Sequence, residues 1–158
     1  MRKSLEFVAA LALLALAAFT WIALHGSNPL PPRVPTHFGA SGQPDAWGSP
    51  SSLWILPIAA AALYLLITVV SLFPGSFNFP VRVTPSTRAR LEGLALKMIA
   101  WIKAELISLF LILQISIVQS VRGRHAALPP LLVPACLVLI FGTIATHMIL
   151  IIRAARRP

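Results

Sequence analysis

Four stretches of the chain are nearly unbroken apolar runs, separated by segments rich in Pro, Gly and Arg. They extend over Leu5–Leu24, Leu53–Phe73, Leu94–Val118 and Leu128–Ile152. At about 1.5 Å of rise per residue, a helix of each length crosses the roughly 30 Å of hydrocarbon in a bilayer. The first run is interrupted only by Glu6 at its entrance, and Pro74-Gly75 closes the second. The third is the most polar, with Lys97, Lys103, Glu105 and Gln114. The fourth opens on Pro129, Pro130 and Pro134, where a missing backbone N–H costs least. The pattern predicts an all-α, integral membrane four-helix bundle, with residues 1–158 as a single membrane domain. The expected outward loop is 25–52 and the expected cytoplasmic loop is 74–93. The first run is read as an uncleaved helix rather than a signal peptide. Its apolar stretch exceeds a signal core of about 7 to 15 residues, and no clean A-x-A site follows it.

Composition excludes other classes. Of 158 residues, 58% are hydrophobic and 11% charged, and the mean hydropathy is +0.85. A soluble domain carries roughly a quarter charged residues. An ordinary soluble enzyme, a disordered tail and a disulfide-stapled module are therefore all disfavoured. The lone Cys136 has no internal bridging partner. A net charge of +9 would suggest a nucleic-acid binder in a soluble protein. Here the basic residues gather at the edges of apolar runs, so no nucleic-acid partner is expected. Nine of the thirteen lie in three regions: Arg2 and Lys3; Arg82, Arg88, Arg90 and Lys97; Arg153, Arg156 and Arg157. Arg33 lies in the first connection, and Arg122 and Arg124 in the third. The positive-inside rule then places both termini in the cytoplasm and Gly26–Ser52 outside.

The outward segment reads PLPPRVPTHFGASGQPDAWGSPS over Pro29–Ser51. Its prolines and glycines stop any helix. Prolines also lower the entropy of ordering a loop, so an ordered loop on the bundle's rim is expected. Trp47 and Trp54 suit the aromatic interfacial belt. Leu30-Pro31, Pro35-Thr36-His37-Phe38-Gly39, Gly42, Asp45 and Gly48 closely resemble the DUF1648 family, a bacterial membrane domain also found at the start of SdpI-type immunity proteins. Phe77-Asn78-Phe79-Pro80-Val81 and Val83-Thr84-Pro85 resemble a further segment of compact four-span members. The resemblance runs from Leu30 to about Gln114. It implies a membrane location and offers little chemistry; a bacterial inner membrane is the expected one. The additional spanning region of the longer immunity proteins is absent from this sequence.

His37, Phe38, Asp45 and Trp47 are the candidate binding residues. Imidazole and carboxylate can ligate a first-row metal, with His25 as a third donor, but a zinc site wants at least three protein ligands. The spacing matches no standard metal motif. The bland alternative has His37 and Asp45 bonding loop backbone, with Asp45 in an Asx-type turn after Pro44.

On the inward side, Phe79, Val81 and Val83 suggest a short extended piece. Thr84 then caps a helix that opens at Pro85. Thr87 stands where a capping box wants Glu or Gln, so an incomplete cap is expected. Arg88 and Arg90 are expected near lipid headgroups. Within the membrane, Lys103, Glu105 and His147 are the candidate polar residues, because charge there is costly. At 100° per residue, Glu105, Ser108 and Ser116 share one sector of the third helix, while Lys103 and Gln114 share a nearly opposite one. Either that helix is central, or Lys103 snorkels to the interface. Thr143 and His147 share a face of the fourth helix at depths that open contacts with Glu105. Such a group serves a proton relay or plain interhelical bonding.

No phosphate loop, HExxH, CxxC, G-x-S-x-G or dinucleotide fingerprint is present. No catalytic residue and no cofactor are expected. The expected role is an envelope accessory, sensor or immunity-type protein that uses the outward loop for recognition. The alternatives are a small membrane enzyme or metal-dependent hydrolase centred on His37 and Asp45, and a structural subunit of a membrane complex. Expected partners are membrane lipids and an envelope protein or peptide at the loop, with room left for a homo-oligomer.

Overall fold

Each apolar run becomes one helix in the computed structural model of the chain, which describes residues 1–123 and 129–156. Leu128, Arg124 and Arg157, used in the reading above, lie outside the described residues. The elements are α1 (Arg2–His25), β1 (Val34–Phe38), β2 (Pro44–Gly48), α2 (Ile55–Ser71), α3 (Pro85–Val121) and α4 (Leu132–Ala155). A 3-10 turn over Pro50–Trp54 leads into α2. All four helices are long and apolar enough to cross a membrane once that turn is counted with α2.

Helix α3 is central, packing against α1, α2 and α4. Its 37 residues span about 55 Å, well beyond a bilayer's hydrocarbon. The start of α3 follows from its cap. Thr84 Oγ1 accepts from the Thr87 N–H, and the Thr84 N–H donates to Thr87 Oγ1 at 3.0 Å. The capping box is thus complete, because a threonine hydroxyl does the work of the expected Glu or Gln. Arg88 is not left to lipid alone: its guanidinium pairs with Glu92 at 2.9 Å and donates to the Gly75 carbonyl at 2.8 Å. These bonds strap the α2–α3 connection to α3. Phe79–Val83 is irregular chain that belongs to neither strand.

The core is built on small residues. Helix α1 buries Leu5, Ala9, Ala12, Leu16, Thr20 and Ala23, all separated by steps of three or four. That spacing is the seam of a gently crossing helix pair. Alanines let backbones approach closely, the main source of helix affinity when lipid is as apolar as leucine. Leu5 and Ala9 cluster with Ala100 and Ala104, while Ala12, Leu16, Ala60 and Ile107 form the next layer. Since Leu5 sits level with Ala100 and Ala104, the first turns of α3 project past the start of α1. Helix α4 lies against α3 and buries only Ile140 and Ile151, leaving most of its apolar surface outward.

The end of the bundle away from the start of α1 is plugged by the loop. Val34 is fully buried beside Ala23, Leu53 and Val118, with Leu30 packed against them. The loop is therefore ordered, but as an antiparallel two-stranded hairpin that the sequence pattern did not anticipate.

Candidate functional site

The hairpin explains the loop's residues one by one. Strand β1 pairs Val34 with Gly48, Pro35 with Trp47, His37 with Ala46 and Phe38 with Pro44, with bulges on either side of His37. The Gly42 N–H donates to the Gly39 carbonyl at 2.8 Å, and the Gly39 N–H to the Gln43 carbonyl at 2.9 Å. Gly42 has φ 77°, a left-handed backbone that closes such a turn and favours glycine. Gly48 is required for space, since a Cβ there would lie 2.7 Å from Thr36 Cγ2.

His37 and Asp45 meet across the hairpin, Nδ1 to Oδ1 at 2.5 Å. The pairing replaces both the expected bonds to loop backbone and the Asx turn after Pro44. The pair stands in the open, with side chains 69% and 52% exposed. His25, the third donor considered for a metal, is drawn elsewhere: its Nδ1 donates to the Trp21 carbonyl at 3.0 Å and its ring stacks on Trp21. Among the described residues no three His, Cys, Asp or Glu converge as a ligand set. Trp47 is exposed, whereas Phe38 is half-buried. Phe38 helps line a groove of about 360 Å³ between the hairpin tip and the start of α4, with Gly39, Gly42, Pro129, Pro130 and Pro134. Sequence reasoning placed those prolines only as a helix start; tertiary packing sets them opposite the hairpin. Arg122, just past the end of α3, also reaches the segment between α1 and β1, donating to the Asn28 carbonyl at 3.4 Å.

Two polar groups lie among the helices. Lys103, 1% exposed, donates to Glu6 Oε2 at 2.6 Å and Thr68 Oγ1 at 3.0 Å, with Nζ 4.8 Å from the Tyr64 ring centre. Lys103 is thus held inside a central helix rather than snorkelling to the interface. Glu6 was visible in the sequence only as a flaw in the first run, and its partnership was missed. On the same side of α3, the Gln114 amide donates to Thr20 Oγ1 at 2.8 Å and the Leu53 carbonyl at 3.0 Å.

On the other side Thr143 Oγ1 donates to Glu105 Oε1 at 2.6 Å. His147 does not bond Glu105; its Nδ1 donates to the Thr143 carbonyl at 2.9 Å. Lys103 and Glu105 therefore serve opposite faces of α3, as their angular separation requires.

Four membrane-crossing helices and a hairpin plug define a multi-pass membrane protein. Residues 10–61, which hold most of α1, the hairpin and the start of α2, match the family model described as "Domain of unknown function (DUF1648)". The resemblance drawn from the loop residues holds for this part of the chain. An "Uncharacterized protein" of Archaeoglobus fulgidus is 40% identical over 76 residues, covering 43% of this chain and 42% of its own length. The match spans less than half of that relative. No solved structure matches the chain.

Proposed function

We propose that the chain is an envelope accessory, sensor or immunity-type protein of a bacterial inner membrane, with its hairpin as the recognition surface. In this reading both termini are cytoplasmic, because the inward connection and the helix ends beside it carry most of the basic residues. The observation that carries the proposal is the contrast within the hairpin. Its root is anchored by buried Val34, while His37, Asp45 and Trp47 stand exposed beside the groove that Phe38 helps line. Exposed aromatic and charged groups on a rigid support are the usual makings of a protein or peptide contact. The occupant that suits the groove is an extended peptide segment of an envelope protein, packing apolar side chains on Phe38 and the prolines. The SdpI-type resemblance brings the immunity form into this reading beside the accessory and sensor forms.

The test is site-specific photocrosslinking in intact cells from positions 38 and 47, with lipid-facing Leu65 as control. Recognition predicts a discrete protein adduct from both loop positions, lost in His37→Ala while the melting temperature holds. Adducts to lipid alone at all three positions would overturn it.

A further inference from the structure

The chain has four acidic residues, and three of them are paired with a base: Glu6 with Lys103, Glu92 with Arg88, and Asp45 with His37. The fourth, Glu105, has no such partner among the described residues. Its Oε1 takes the Thr143 hydroxyl, while its Oε2 is buried and without a hydrogen bond. An acceptor oxygen left so in an apolar setting costs on the order of 1–3 kcal/mol, more when charged.

Glu105 also stands where two grooves meet on the α3–α4 side. One, about 360 Å³, lies between α1, α3 and α4 and is lined by Leu5, Val8, Trp101, Ile112 and Leu139 as well as Glu105. The other, about 490 Å³, is lined by Trp101, Glu105, Thr143 and His147. His147 Nδ1 donates to the Thr143 carbonyl, so in the neutral ring Nε2 is an acceptor. The Glu105 carboxylate and the His147 imidazole thus line a space whose other walls are mostly apolar, with Trp101 among them and Ser108, Thr143 and Thr146 as the remaining polar side chains. What such a space lacks is a donor carrying positive charge.

We propose that these grooves form a membrane-embedded site for the ammonium group of an apolar molecule, with the Glu105 carboxylate as its counter-ion and the His147 imidazole as a second acceptor. An ammonium supplies three donors and one charge on a small head. The apolar walls receive the body of the ligand, and Trp101 offers an aromatic face to the cation. The site does not depend on the reading of the hairpin. The same chemistry comes from two sources, a free lipophilic amine or the ethanolamine headgroup of a lipid.

The probe is tritiated 1-adamantylamine, with 1-adamantanol as its neutral counterpart of similar shape, on the full chain in phosphatidylcholine nanodiscs. Saturable binding of the amine is expected, at least about tenfold tighter than the alcohol, since charge-assisted bonds are roughly twice as strong as neutral ones. Glu105→Gln, which keeps an acceptor for Thr143, is expected to weaken the amine by at least about tenfold and leave the alcohol unchanged. Should Glu105→Gln lower the melting temperature, Thr146→Val in the same groove provides a folded control expected to keep the amine preference. Equal affinity for amine and alcohol, absence of saturable amine binding, or full binding by folded Glu105→Gln would overturn the proposal. Repeating the titration with phosphatidylethanolamine in the discs separates the sources. Displacement of the probe assigns the ammonium to the lipid headgroup; undiminished binding assigns it to a free amine.

Discussion

The Lys103–Glu6 pair joins α3 to α1, and its two ends differ sharply in access to water. Lys103 is 1% exposed, whereas the Glu6 side chain is 30% exposed at the start of α1. Removing one partner of a buried pair is costly chiefly because of the charge left behind. In Glu6→Ala the stranded charge is the Lys103 ammonium, which retains only Thr68 Oγ1 and the Tyr64 face. The expected loss is about 3–5 kcal/mol. In Lys103→Met the stranded charge is Glu6, which rehydrates at the membrane edge, while methionine fills the vacated space. The expected loss is about 1 kcal/mol, near the scale of an exposed pair. The double variant should then be more stable than Glu6→Ala alone by about 2 kcal/mol, which together with the loss of about 1 kcal/mol in Lys103→Met makes a coupling of about 3 kcal/mol, the upper end for contacting groups. The assay is reversible unfolding in mixed micelles, followed by far-UV circular dichroism as the denaturing detergent is raised. If Lys103→Met loses as much as Glu6→Ala, or the double variant is the least stable of the three, asymmetric burial is not what sets the cost.

Other consequences are open to the same assay. Gly48→Ala should lower the melting temperature, because its Cβ would press on Thr36 Cγ2; Gly93→Ala, with nothing within 4 Å, should gain about 0.5–1 kcal/mol of helix propensity. His37→Ala and Asp45→Ala should each cost no more than about 1 kcal/mol, since both side chains are more than half exposed, and a double-mutant cycle should return a coupling of that size. A loss of several kcal/mol would make the pair the hairpin's main clasp. Gln114→Ala should cost about 2 kcal/mol, combining two interhelical bonds with a buried cavity, and a change below 0.5 kcal/mol (about one such bond) would show that its bonds contribute no net stability.

Legibility from sequence varied with the physical source of the signal. The four helices were readable because lipid tolerates only long apolar segments with internally satisfied backbones. Helix ends followed from local chemistry, as at Thr84-Pro85, although the capping role of Thr87 was underrated. The hairpin was not readable as strands: Val34–Phe38 and Pro44–Gly48 each carry a proline and show no sustained alternation. Its order comes from the Gly39–Gly42 turn and from the seating of Val34 in the bundle. The Glu105–Thr143 contact could be reached by counting helical depth, because both residues lie within regular spans. The Lys103–Glu6 contact could not, because the projection of α3 past the start of α1 shifts the apparent depths. A lysine stem that reaches toward the N-terminal end of its own helix then makes up the distance.

By itself the sequence determined that this is a membrane protein of four spans, that basic residues gather at the edges of those spans, and that one connection is built for order. These properties depend on local composition and on transfer from water to lipid, which act residue by residue. Tertiary structure alone decided which faces of the helices meet. In a lipid-facing bundle both the buried and the outer faces are apolar, so no amphipathic stripe announces the core. Close approach at Ala9, Ala12, Ala60, Ala100 and Ala104 makes that choice instead. It fixes the partners of the few polar groups: Lys103 with Glu6, Gln114 with Thr20, and Glu105 with Thr143, the last with one oxygen buried and without a hydrogen bond.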